Sequence, residues 1–140
     1  MTATRFPRTR YATGTPWEPI VGYSRAVRVG SLVFVSGTTA TGADGQLVGA
    51  GDAGAQTRQV LANLRAALER AGARIEDVVR TRIYVTDIAK WEAIGRVHGE
   101  VFGHVRPATA MVEVSRLIDP AMLVEIEADA VVDAEAAPAT

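Results

Sequence analysis

Residues 52–86 switch hydrophobic period once, and that switch constrains the fold more than any other feature. From Asp52 to Ala71, Val60, Leu61, Leu64, Ala67, Leu68 and Ala71 fall on one stripe at 3.6-residue spacing, with Arg58, Asn63, Arg65, Glu69 and Arg70 elsewhere. Asp52 is placed to cap this helix, and Gly72 stands where a left-handed C-terminal residue belongs. Six residues on, "VVRTRIYVT" (78–86) alternates instead: Val79, Thr81, Ile83 and Val85 share one face, Arg80, Arg82 and Tyr84 the other. A one-striped helix followed at once by a two-faced strand has to lie across a sheet.

The remaining segments supply that sheet. A short N-terminal strand leads into "GTPWEP" (14–19), a turn-rich connection with two prolines. "AVRVGSLVFVSG" (26–37) is a hairpin about Gly30-Ser31, and residues 41–51 form a loop with a turn at Asp44-Gly45. A second helix is predicted from about Ile88 to Phe102, capped by Asp87 and stopped by Gly103. Trp91, Ile94, Val97, His98, Val101 and Phe102 form its apolar side, so Trp91 reads as a core residue. Gly95 and Gly99 each cost such a helix about 1 kcal/mol relative to alanine, which points to close packing against another backbone. Strands Thr109–Val114 and Leu123–Val132 close the chain. In the last, Val124, Ile126, Ala128, Ala130 and Val132 alternate with Glu125, Glu127 and Asp129.

This order predicts an α+β fold, a mixed β-sheet with two helices packed on one face. The other face is left bare yet carries Val, Leu and Ile, so oligomerisation through it is expected. At 140 residues the chain suits one domain over 1–132, followed by a flexible tail at 133–140.

Composition excludes more than it assigns. A net charge of −1 gives no electrostatic case for nucleic acid or a membrane surface, and Arg5, Arg8 and Arg10 make only a weak basic patch. No run approaches the ~20 apolar residues of a membrane span, and Met1–Arg10 lacks the apolar centre of a signal peptide. With no cysteine there are no disulfides, thiol nucleophiles or thiolate metal sites, as suits a cytoplasmic protein. His98 and His104, six apart, match no metal-ligand spacing.

"VGYSRAVRVGSLVFVSG" (21–37), "AQTRQVLANLRAALERAGARIEDVVRTRIYVTD" (55–87), "RPATAMVEVSRL" (106–117) and "LVEIEADAVV" (123–132) together resemble the Rid (YjgF, reactive intermediate deaminase) family. The resemblance spans Val21 to Val132. It implies a chorismate-mutase-like fold assembled as a trimeric barrel, with small-molecule pockets at the subunit interfaces and no metal or organic cofactor. The best-known branch hydrolyses enamines and imines derived from amino acids, releasing ammonia and a 2-keto acid. It clamps the substrate carboxylate with an arginine, and a glutamate on the last strand handles water and protons. That glutamate corresponds to Glu125, and the family's site tyrosine to Tyr23. The arginine's position is Thr109.

A guanidinium grips a carboxylate through two parallel charge-assisted bonds, and losing a buried charged partner costs ~2–5 kcal/mol. A threonine hydroxyl returns about 0.5–1.5 kcal/mol. The resemblance therefore implies an arginine-less branch, poor at 2-aminoacrylate deamination. In it Glu125 acts as general base, while Tyr23, Ser36, Gly37, Thr38, Thr109 and Ala110 bind substrate. Arg106 is a candidate substitute cation if its side chain turns inward, with Arg25 and Arg82 as others, whereas Arg116 matches an arginine often present in the family and is no compensating change. His98 is either an acid–base group or, as its apolar stripe favours, a hydrogen-bonded core or interface residue. The competing function is a non-catalytic trimer that binds a small molecule for regulation. RNA cleavage, ascribed to some relatives, lacks both a basic groove and paired histidines.

Overall fold

A computed structural model describes residues 6–133. Arg5 and nearly all of the proposed tail, residues 134–140, lie outside them. Six strands form one mixed sheet: β1 (Arg8–Tyr11), β2 (Ala26–Val29), β3 (Leu32–Thr38), β4 (Val78–Val85), β5 (Ala108–Glu113) and β6 (Val124–Val131). Their spatial order is β1-β2-β3-β6-β4-β5, antiparallel throughout except for the parallel pair β4–β5. Three helices accompany it: α1 (Trp17–Val21), α2 (Ala53–Arg70) and α3 (Trp91–Phe102). The mixed α+β sheet with its two long helices stands as expected, while α1 replaces part of the turn expected at 14–19.

The first helix buries Glu18 and is tied by it to the preceding loop. Its carboxylate accepts bonds from the Thr13 amide and hydroxyl and from the Thr15 hydroxyl. Burial alone would raise its pKa, but these bonds outweigh it and leave the group below the usual carboxylate range. On α2, Asp52 accepts from the Ala55 amide and Gly72 adopts φ +84°, the cap and stop read from the sequence. Val60, Leu61, Leu64 and Leu68 are fully buried against Val33, Ile126, Ala128 and their neighbours. Each such side chain contributes about 1.5–3 kcal/mol of burial energy.

Three local expectations fail. Val79 is 48% exposed, because an irregularity between Val78 and Arg80 adds a residue to β4, so that Val78, not Val79, joins the core face with Thr81, Ile83 and Val85. Trp91 is 57% exposed. A 3-10 turn at Ile88–Lys90 delays α3, so the indole begins the helix and lies along it near Gly95, while Ile94, Val97 and Phe102 form the core stripe. Finally, Gly95 and Gly99 meet no second backbone within the protomer. A methyl at Gly99 would touch nothing, and one at Gly95 would approach only the Trp91 ring, at 3.9 Å.

The two sheet faces differ sharply. Core-facing Val33, Ile83, Val124, Ile126 and Ala128 are at most 2% exposed. On the opposite face Leu32, Phe34, Val79 and Val131 are each 41–48% exposed. They share it with Arg82, which bridges Glu127 and Asp129 at 3.4 and 3.3 Å, and with Tyr84, whose hydroxyl donates to Glu127 at 2.9 Å.

Candidate functional site

Two clusters of chemistry-bearing side chains emerge, one on each face. On the open face, β3 and β6 lose register between Val35 and Thr38, where three steps along β3 match two along β6. This bulge at Ser36-Gly37 makes room for Glu125. A Cβ on Gly37 would overlap the Glu125 carboxylate, so only glycine lets that side chain lie over the strand. Arg25 is fixed beside it: its guanidinium donates to the Gly37 carbonyl at 2.7 Å, to Thr38 Oγ1 at 3.2 Å and to the Tyr23 hydroxyl at 3.4 Å. Thr38 in turn donates to the Ser36 carbonyl, and Ser36 donates to the Ser24 carbonyl. Burial pushes the Glu125 pKa up, with Arg25 pulling it down and Glu127 raising it further. A half-buried carboxylate with a raised pKa next to a fixed cation suits both accepting a proton and orienting a water.

The fold thus brings together Tyr23, Ser36, Gly37, Thr38 and Glu125. The Ser36 and Thr38 hydroxyls hold the bulge and Arg25. Arg25 itself is the strongest addition to the site; the sequence offered it as one cation among several, and only the bulge singles it out.

Thr109 and Arg106 lie elsewhere. Thr109 pairs in register with Thr81, and Ala110 with Arg82. Ala110 therefore shares the open face, whereas Thr109 points to the helix side. There its hydroxyl lies 2.8 Å from Thr81 Oγ1, which lies 2.9 Å from His98 Nε2. His98, Gly99, Phe102, Gly103, Arg106, Pro107 and Thr109 line a groove of about 330 Å³ beneath α3. Arg106 is exposed at its rim, held at φ +56° with Nε donating to the Gly103 carbonyl. Burial lowers the His98 pKa, keeping the ring neutral near pH 7. Thr81, the buried link of this chain, was legible only as one more residue on a core face.

Among the described residues no group of three or more potential ligands could hold a metal ion, and no helix is long and apolar enough to cross a membrane.

Comparison with known proteins places this arrangement in a family. Residues 13–132 match the family described as Endoribonuclease L-PSP. A 3-aminoacrylate deaminase, RutC from Acinetobacter baylyi, is 38% identical over 113 residues, covering 81% of this chain and 88% of that protein. An uncharacterised Streptomyces coelicolor protein is 40% identical over 121 residues, covering 86% of this chain and 90% of its own. The crystal structure of Rv2704 from Mycobacterium tuberculosis, a member of the YjgF/YER057c/UK114 family, matches with TM-score 0.82 and 54% identity over 90% of this chain and 100% of that one. The chain belongs to the YjgF/Rid family.

Proposed function

We propose that this protein hydrolyses or tautomerises a small imine- or enamine-type metabolite, with Glu125 as general base and no cofactor. The observation that carries this reading is the half-buried Glu125 carboxylate seated over the Gly37 bulge beside Arg25. In hydrolysis, Glu125 takes a proton from water as the water oxygen adds to the C=N carbon. The nitrogen gains a proton, and the resulting carbinolamine expels ammonia to leave a carbonyl. An enamine enters the same route once a proton has been added at carbon. RutC's deamination of 3-aminoacrylate, as its name states, is chemistry of this type.

The reading includes a homotrimer with its pocket between subunits. Two features support it: exposed apolar side chains on the open face, and clusters at Glu125 and Thr109 that lie on opposite faces of one sheet. Residues on opposite faces can line one pocket only if a second copy brings its own Thr109 side to the first copy's Glu125. Thr109 offers no cation, so free 2-aminoacrylate is a poor substrate in this reading. RNA cleavage has less behind it: His104 pairs with Glu76 at 3.2 Å while His98 bonds Thr81, so the two histidines do not converge.

The test is turnover of 2-iminopropionate, generated in place by an amino-acid oxidase, by wild type and by Thr109→Arg. Wild type at the spontaneous rate with a gain in Thr109→Arg supports intact machinery with altered substrate choice. Wild-type turnover well above background overturns the argument from Thr109. Silence in both overturns the catalytic reading in favour of a binding module.

A further inference from the structure

The contacts of Thr109 with Thr81 and Pro107, and of Thr81 with His98, favour one proton order. Thr109 Oγ1 lies 3.2 Å from the Pro107 carbonyl oxygen, which can only accept. The three contacts Pro107–Thr109, Thr109–Thr81 and Thr81–His98 need three protons. One direction supplies all three: Thr109 donates to Pro107, Thr81 donates to Thr109, and His98 Nε2–H donates to Thr81. The reverse order leaves the Pro107 contact without a proton. In the favoured order Nδ1 carries the lone pair. It has no partner among the described residues, and none of their buried side-chain nitrogens or oxygens lacks one, so Nδ1 opens to solvent. Beside it on α3, a methyl at Gly99 would meet nothing, and Phe102 packs its ring 4.6 Å from the imidazole.

We propose that the groove beneath α3 recognises a small neutral ligand carrying an N–H or O–H donor, with His98 Nδ1 as acceptor and Thr81 and Thr109 holding the Nε2–H tautomer. An arginine at position 109 would present donors and a positive charge, and so favour an anion. The threonine instead completes a chain that leaves a lone pair on Nδ1 of a groove-lining ring, which repels an anion's oxygens, while Arg106, its Nε held by the Gly103 carbonyl at the rim, disfavours a cation. The preferred ligand is therefore uncharged, such as an amide, an amine in its neutral form or an enamine. This deepens the reading above, on which it rests only in placing the groove beside Glu125 of the next subunit.

The tautomer is read from long-range 1H–15N correlations of the full-length protein at pH 7.5, with acetamide and acetate as paired probes. The expected result is a single Nε2–H form whose Nδ1 resonance moves with acetamide and not with acetate. Thr109→Val, at an exposed edge strand, should mix the tautomers and weaken acetamide binding about two- to tenfold, as loss of one neutral hydrogen bond implies. Thr81→Val provides the same test from the buried side. An Nδ1–H form, a response to acetate alone or to neither probe, or unchanged tautomer populations in both variants would overturn the proposal. Because no turnover is needed, failure of the imine assay with these spectra as expected removes only the catalytic reading.

Discussion

The two faces of the sheet are built from alternate residues of the same strands, yet they follow different rules. On β6, Val124, Ile126, Ala128 and Ala130 meet the helices with no polar atom among their side chains, while Glu125, Glu127 and Asp129 point the other way. The helix-covered face is finished within one chain. The open face combines exposed Leu32, Phe34 and Val131 with the part-buried Arg82–Glu127–Asp129 cluster, a mixture of apolar area and organised charge that a lone protomer leaves in water. The difference teaches that one side completes its burial within the chain, while the other keeps both apolar area and organised charge exposed, as the proposed assembly requires.

The largest effect that would break this comparison is on activity. Glu125→Gln should lower imine turnover by roughly 10²–10⁴-fold, the usual contribution of a general base, in a steady-state ammonia assay. The same variant should melt higher at neutral pH. A carboxyl whose folded pKa is raised favours folding below its unfolded value and loses that advantage as pH rises through the folded one, so ionised Glu125 is a burden at pH 7. A lower melting temperature would mean Glu125 is structural.

Next in size is the division between the faces. Ile126→Ala should cost about 2–5 kcal/mol in urea unfolding, since its side chain is fully buried. Phe34→Asp should keep the circular dichroism of the fold but reduce the sedimentation coefficient to that of a monomer. Unfolding by Phe34→Asp would show that the open face is also core.

His98 sharpens the contrast from the other side. Its pKa is lowered by burial, so the unfolded chain binds the proton first and stability should fall as pH drops through about 6.5. His98→Gln should flatten that segment of the stability–pH curve, measured by denaturant midpoint. The smallest effect is Gly99→Ala, which should stabilise by up to about 1 kcal/mol because the added methyl meets nothing and helix propensity improves. Destabilisation would place another backbone against Gly99 in the assembly.

Local rules made much of this readable in advance. The α2 stripe, its Asp52 cap and Gly72 stop, the Gly30-Ser31 hairpin and the alternation on β6 all follow from steric and hydrophobic periodicity acting over a few residues. Where a local irregularity intervened, reading by period failed. The extra residue in β4 turned Val79 outward, and the 3-10 turn before α3 left Trp91 on the surface.

The site divides in the same way. The types of Glu125, Tyr23, Gly37 and Thr109 were visible from family likeness, but their grouping was not. Which cation stands beside Glu125 depends on a bulge that lowers the carboxylate over Gly37 and draws Arg25 onto its carbonyl. That the Thr109 hydroxyl meets Thr81, and through it His98, rather than Glu125 of its own chain depends on the register of the parallel β4–β5 pair. By itself the sequence determined the two long helices, most strands and their core faces, which rest on short-range spacing, and the family, which rests on matched residues. Only the tertiary structure decided which polar groups meet, because strand register and bulges turn a one-residue difference in pairing into opposite faces of the sheet.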